Sequence, residues 1–201
     1  MSSSPARHPL IREDQGQALV NLARQTLLAR FKRALSEDRV AQMESHLQDP
    51  ELQAGCGTFV TLKLGGELRG CIGTLSSREA VVDGVRSNAV NAAFHDPRFH
   101  PLSEAELPRI AIEVSVLSHP EPLEYKGADD LAAKLRPHVD GVTLRKGLSS
   151  ATFLPQVWEQ LPDVSMFLSH LCLKAGLAKD AWRQGDLEIE TYQVQYFEES
   201  S

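Results

Sequence analysis

Apolar residues along the chain recur every three or four positions in some stretches and every second position in others. The first spacing predicts amphipathic helices, the second half-buried strands. After a polar arm over residues 1–11, Leu19, Ala23, Leu27 and Phe31 recur every four residues, and Leu22 and Leu28 widen the stripe. This predicts a helix capped by Asp14, with Gln17 three residues on, and closed by Lys32 and Arg33 in its last turn. Residues 36–55 are polar and mixed, a linker or a short helix. Two β-like runs, Thr58–Leu64 and 67–75, flank Gly65-Gly66, which is a hairpin signal. With those glycines as the loop, Cys71 faces Val60, Arg69 faces Leu62 and Ile72 faces Phe59. Alternation then puts Arg69, Cys71 and Gly73 on one face and Leu68, Gly70 and Ile72 on the other.

A helix over 77–94 follows, with Ser76 and Glu79 as a capping box and Val82, Val85, Ala89 and Ala92 as its stripe. Asp96-Pro97 ends it, because a residue before proline avoids the helical basin. Ser103 and Glu106 form a second box over a very short helix stopped by Pro108. Residues 109–118 alternate cleanly, with Ile110, Ile112, Val114 and Val116 on one face and Glu113 and Ser115 on the other. A helix over 129–136 precedes a hairpin of 142–145 and 151–154 around Lys146-Gly147. After Pro155 a short helix holds Val157 and Trp158. Asp163 caps a helix bearing Phe167, Leu168, Leu171 and Cys172, which Gly176 terminates. Leu187 and Ile189 alternate in one phase, and Tyr192, Val194 and Tyr196 in the other, so there is a bulge near Thr191 or two strands. The pattern as a whole predicts an α+β fold: a mostly antiparallel sheet with helices packed on it.

Composition narrows the picture. The chain has 201 residues, 42% apolar, 24% charged and 6% aromatic, which suffices for a sizeable core. That balance excludes a disordered chain, a fibrous repeat and a disulfide-stapled miniature. The net charge of −6 speaks against a nucleic-acid partner, as does the lack of aromatics interleaved with basic residues. No run of ~18 apolar residues is present, so no membrane span is expected, and the first residues lack the apolar stretch of a secretory signal. Cys56, Cys71 and Cys172 are odd in number and far apart, consistent with reduced thiols in a cytoplasm.

The chemistry-bearing string is Leu68-Arg69-Gly70-Cys71-Ile72-Gly73. Glycine inside a strand weakens it and marks a bulge, or the close approach of a ligand or another backbone. A guanidinium sharing a face with a thiol favours the thiolate, which suits a nucleophile, a covalent acceptor or an anion pocket. The simpler reading is a small core cysteine and an arginine that reaches a carboxylate. Asp96 and Arg98 crowd the helix exit and are expected to tie the loop, or to bind a ligand beside the string. His95 and His100 lie across a proline at a spacing unlike the i, i+4 zinc pair, so no metal site is predicted. Glu113 is a candidate acid/base or arginine partner if its face lines a cleft. Gln156 is a first-turn polar residue and a further ligand candidate.

These strings carry a resemblance. Leu68-Arg-Gly-Cys-Ile-Gly-Thr74 resembles the signature of the AMMECR domain family, called in prokaryotes AmmeMemoRadiSam system protein A. The similarity continues through Ala92-Ala-Phe-His-Asp-Pro-Arg-Phe-His-Pro-Leu102, Ile112-Glu-Val-Ser-Val-Leu-Ser118, Val139-Asp-Gly141 and Phe153-Leu-Pro-Gln-Val-Trp158. It covers roughly residues 15–198. It implies a single α+β domain over 12–198 with two unequal lobes and a cleft between them, lined by the Arg69–Gly73 segment. It also implies association with a Memo-like protein, itself similar to non-haem iron dioxygenases, and with a radical S-adenosylmethionine protein. On this reading Cys71, Arg69 and Glu113 are catalytic candidates, and Gly70, Gly73, Asp96, Arg98 and Gln156 are ligand-binding candidates. The alternative is a non-catalytic binding or adaptor module for a peptide or small anion. Neither reading names a cofactor.

Overall fold

The four-residue stripe forms α1 (Glu13–Arg30), with Leu19, Leu22, Ala23 and Leu27 buried. Its cap falls two residues earlier than the pattern predicts. The Arg12 N–H donates to Gln15 Oε1 at 3.0 Å, while the Asp14 carboxylate accepts from the Arg12 side chain and the Gln15 N–H. Gln15 is buried and also donates to Asp49 and Glu51, which favours it over Gln17. Lys32 and Arg33 lie just past the last turn, Lys32 at φ 57°. The mixed segment folds as α2 (Glu37–Glu44) and α3 (Pro50–Gln53).

A computed structural model describes residues 11–75 and 78–199; residues 1–10 of the expected arm and the Ser76 cap lie outside them. The backbone forms two units: one runs through Leu117 and resumes at Gln195, and the other is Ser118–Val194. In the first unit, β1 (Thr58–Leu64) and β2 (Glu67–Thr74) are joined by Gly65 and Gly66 at φ 61° and 88°. Two successive positive φ values match the strand twist, and glycine adopts them without steric cost. Then come α4 (Val81–Phe94) and β3 (Ile110–Leu117). The helix starts late because Ala80 is extended and bridges to Gly55. With β8 (Val194–Glu198) the sheet order is β2-β1-β3-β8.

One face of this sheet is core. Val60, Leu62, Ile112 and Val114 pack with Leu19, Ala23 and Leu27 of α1 and Val85 and Ala89 of α4. Small residues let α4 approach closely. A Cβ at Gly70 would stand 2.2 Å from the Ala92 carbonyl oxygen, and one at Gly84 would stand 2.6 Å from Thr58 Oγ1. Asn88, buried on α4, donates to both the carbonyl and the hydroxyl of Thr58 at 3.0 Å.

The second unit holds β4 (Glu121–Pro122), α5 (Ala128–Lys134), β5 (Gly141–Lys146), β6 (Ser149–Phe153), α6 (Val164–Lys174) and β7 (Glu188–Tyr192), with sheet order β4-β7-β5-β6. Its hairpin turns at Gly147-Leu148, one residue beyond the expected place, with Gly147 at φ 60°. Trp158 and Phe167 stack at 3.6 Å in the core, and the Trp158 indole donates to the Asp140 carbonyl at 2.7 Å. Asp163 caps α6 through the Met166 N–H, and Gly176 at φ 75° ends it, both as the pattern predicts. The phase slip near Thr191 is a break between two strands, β7 and β8, that belong to different sheets. Two antiparallel sheets with helices packed on them make the fold α+β. Among the described residues no helix is long and apolar enough to cross a membrane.

Adding a methyl group at position 70 drives it into helix backbone, which cannot swing aside. Gly70→Ala is therefore expected to lower unfolding free energy by about 1–3 kcal/mol. Chemical denaturation checks this; an unchanged midpoint contradicts close helix–strand packing at this point.

Candidate functional site

Strand β2 lies at the edge of its sheet, and an unpaired edge needs managing. Here Asp96 and Arg98, just past the end of α4, supply the partners. The Cys71 N–H donates to Asp96 Oδ2 at 2.9 Å, and Arg98 Nη2 donates to the Cys71 carbonyl at 3.0 Å. The two side chains thus act as a one-residue substitute for a neighbouring strand. Arg98 also donates to Asp96 through Nε, Nη2 and its own backbone N–H. The Asp96 side chain is only 1% exposed. The Arg98 guanidinium and these hydrogen bonds hold its carboxyl well below the usual carboxylate range.

Arg69 is fixed in the same neighbourhood. Its Nε and Nη2 form a two-point pair with Glu106, at 2.7 and 3.2 Å, and Nη2 also reaches the His100 carbonyl at 2.9 Å. Such forked pairs are the stronger kind of ion pair. Glu106 accepts in addition from the Ser103 N–H and hydroxyl. Only half of the expected Ser103–Glu106 box forms, over a turn and not a short helix: the Glu106 carboxylate takes the Ser103 N–H, but the Glu106 N–H bonds the Ser103 carbonyl and not its hydroxyl. Arg69 and the Ser103 donors lower the Glu106 pKa to about 2. Arg69 Nη1 is buried with no hydrogen-bond partner among the described residues. The Phe99 ring lies beneath both guanidiniums, 5.9 Å from that of Arg69 and 5.5 Å from that of Arg98.

The hairpin register corrects the predicted one. Cys71 pairs with Thr61, Ile72 with Val60 and Gly70 with Leu62, whereas Leu68 pairs with Lys63. Arg69 is the extra residue of a β-bulge between them. The predicted register holds only next to the turn, because a bulge inserts one residue and shifts everything beyond it. It also overturns the expected sharing of a face by Arg69 and Cys71: Leu68, paired with Lys63, joins the face that carries Cys71, and Arg69 leaves the ladder. Gly70 and Ile72 point toward α4, as alternation predicts.

On the opposite face Cys71, Thr61 and Glu113 form a row across three strands. Thr61 Oγ1 donates to Cys71 Sγ at 3.3 Å. Lys63 Nζ holds Glu113 at 2.8 Å and Glu198 at 3.2 Å, and Glu113 is the main cause of the raised Lys63 pKa. Gly73 forms the next row with Phe59, whose ring fills the place of a Cβ at 2.2 Å. Cys71 is half-buried, while Cys56 and Cys172 are buried, and burial pushes both of those thiols up. The structure brings Arg69, Gly70, Cys71, Gly73, Asp96, Arg98 and Glu113 onto or beside one end of this sheet. Gln156 is exposed on the 3-10 turn Pro155–Glu159 of the second unit. His95 is bonded to Asn91, and His100 contributes its backbone carbonyl to Arg69. Among the described residues no cluster of three or more His, Cys, Asp or Glu is placed to hold a metal.

Thr61, Lys63 and Glu106 were not predicted as parts of this site. The bulge conceals Thr61, and its one signal is the glycine inside the strand at position 70. Glu106 reads in sequence only as a cap.

A family model, AMMECR1, matches residues 20–197. The chain belongs to the AMMECR1 family. A protein of Methanothermobacter thermautotrophicus is 36% identical over 192 residues, covering 95% of this chain and 97% of that protein. One of Thermofilum pendens is 35% identical over 199 residues, covering 94% and 91%. Among solved structures, the uncharacterized protein PH0010 from Pyrococcus horikoshii superposes with a TM-score of 0.73 at 32% identity, covering 94% of each chain. The AMMECR1 resemblance read from the Arg-Gly-Cys-Ile-Gly string thus holds over most of the chain.

Two outcomes are expected from this geometry. Iodoacetamide applied to the folded protein near pH 8 should modify one thiol rapidly, and peptide mass mapping should place it at Cys71. Equal labelling of Cys56 or Cys172 would contradict their burial. Separately, Asp96 and Glu106 titrate below their unfolded-state values of ~3.9 and ~4.3. The stability they contribute is therefore fully present above those values and is lost as pH falls toward the lower folded ones. Urea midpoints should fall below about pH 4, and less steeply in Asp96→Asn, which should already be less stable by about 1–3 kcal/mol at neutral pH.

Proposed function

We propose that this AMMECR1-family protein is a component of a modification pathway that also uses a Memo-like protein and a radical S-adenosylmethionine protein, and that it acts through the sheet face carrying Cys71. The observation that supports this is the contrast at Cys71. The backbone of that residue is clamped at both its N–H and its carbonyl, while its thiol stays partly open beside a hydroxyl and a lysine–glutamate pair. A clamped backbone fixes a side chain to within a fraction of an ångström, as a nucleophile or covalent acceptor requires. In this reading Cys71 is the nucleophile or acceptor and Glu113 the acid/base group, while Arg69, turned off the Cys71 ladder and paired with Glu106, positions the segment. Gly70, Gly73, Asp96 and Arg98 shape and hold the segment, and Gln156 is a further ligand contact.

A second reading, a non-catalytic module for a peptide or small anion, gains from one observation. The Arg69 charge is already met by Glu106, which reduces what it has to offer a thiolate. Replacement of the sulfur separates the two. In cells depending on the pathway, Cys71→Ser is expected to abolish its output while leaving capture of the partner proteins intact; preserved output favours the adaptor. The rate of Cys71 alkylation against pH gives a second check. An inflection at or above the free-thiol value of ~8.5 removes the activated-thiol form of the proposal.

A further inference from the structure

Outside the site described, the first unit contains a pocket of about 430 Å³ between the end of α1, residues 33–39 and the turn before β3. That volume is in the range of small-ligand sites. Arg24, Arg33 and Arg39 line it, and Leu28, Leu35 and Leu107 contribute to its apolar wall. One carboxylate, Glu199, shares the lining and pairs with Arg24 and Arg39, while Arg33 pairs with Glu104 from outside it. This excess of cation runs against the overall acidity of the chain.

The guanidiniums are not equivalent. Arg24 is buried and spends four of its five donors: it donates to the Leu107 and Ile110 carbonyls at 2.7 Å and twice to Glu199. It anchors the floor. Arg39 spends Nε and Nη2 on Asn21 and reaches Glu199 at 3.4 Å. Arg33 pairs through Nη2 with Glu104, both side chains more than half exposed. An exposed pair of that kind is worth about 0–1 kcal/mol and yields readily to a better partner. With five donors on each guanidinium, Arg33 and Arg39 retain capacity at the mouth. Glu199 itself demonstrates the preference, since the chain lays its own carboxylate in the pocket.

We propose that this pocket binds an amphiphilic organic anion, a carboxylate on a short aliphatic body. The carboxylate would lie on Arg33 and Arg39, and the body along Leu28, Leu35 and Leu107. Neither half suffices, because the rim arginines are too solvated to hold a bare anion and the wall is too small to retain an uncharged chain.

Calorimetric titration of the full chain with octanoate tests this, with octanol and acetate as probes of each half. Saturable octanoate binding that weakens at least tenfold in the Arg33→Ala/Arg39→Ala double variant, and weakens with added salt, is the expected result. Octanol and acetate should each bind at least tenfold less tightly than octanoate. Arg33 is more than half exposed and Arg39 is 43% exposed, so circular dichroism should show the variant folded. If it is not, Leu35→Glu, on the wall and away from the guanidinium bonds, must produce the same tenfold loss. The proposal is overturned by an absence of octanoate binding, by octanol matching octanoate, or by affinity unchanged in the folded variants.

Discussion

The site depends on one carboxylate. Asp96 is nearly sealed from solvent, yet it stays charged because four hydrogen bonds converge on it, three from Arg98 and one from the Cys71 amide. A buried charge is tolerated only when it is satisfied in this way. It joins three things that the chain supplies separately: the end of α4, the loop that carries Phe99, and the edge of the sheet. Proline at position 97 stops the helix where the carboxylate and the guanidinium fall opposite a single strand residue. The clamp also solves a general problem, because an edge strand with free amide and carbonyl groups invites pairing with other chains.

The other features of this corner follow from holding β2 so firmly. Gly70 lets the strand lie against helix backbone, and Gly73 makes room for the Phe59 ring. The bulge at Arg69 turns that side chain off the regular ladder and into the grip of Glu106. The loop of residues 95–106 is consequently tied to the strand at two points, through Asp96–Arg98 and through Glu106. Cys71 is itself the first of these points, its backbone fixed and its sulfur on the other face of the sheet.

Much of this was legible in the sequence. The Gly-Gly hairpin, the alternating strand of Ile110–Leu117 and the Asp163 and Gly176 helix signals are local, and local chemistry decided them. Asp96 and Arg98 were readable as a loop tie, but their bond to Cys71 was not, because no spacing rule reports a contact between distant segments. The register failed for a different reason. A bulge changes pairing by one residue without changing the pattern of apolar positions enough to reveal itself. The start of α1 moved because the buried Gln15 found partners, Asp49 and Glu51, in a segment to which the sequence had assigned no structure. The family resemblance started from Leu68–Thr74 and continued through the later strings, and within the first of these Arg69 and Cys71 are tied to the loop after α4.

The connection between the two units has a consequence for synthesis. Strands β3 and β8 belong to one sheet, yet the whole of residues 118–193 is spliced between them, and Ser118 and Gln193 at its base are hydrogen-bonded to each other in both directions. The insert is thus the loop of a grossly enlarged hairpin. As the ribosome delivers the chain from its amino end, the earlier unit must wait with an open flank on β3 while the entire insert emerges. Only then does the last strand arrive, bringing Phe197 to fill the hollow that Gly16 leaves on the first helix.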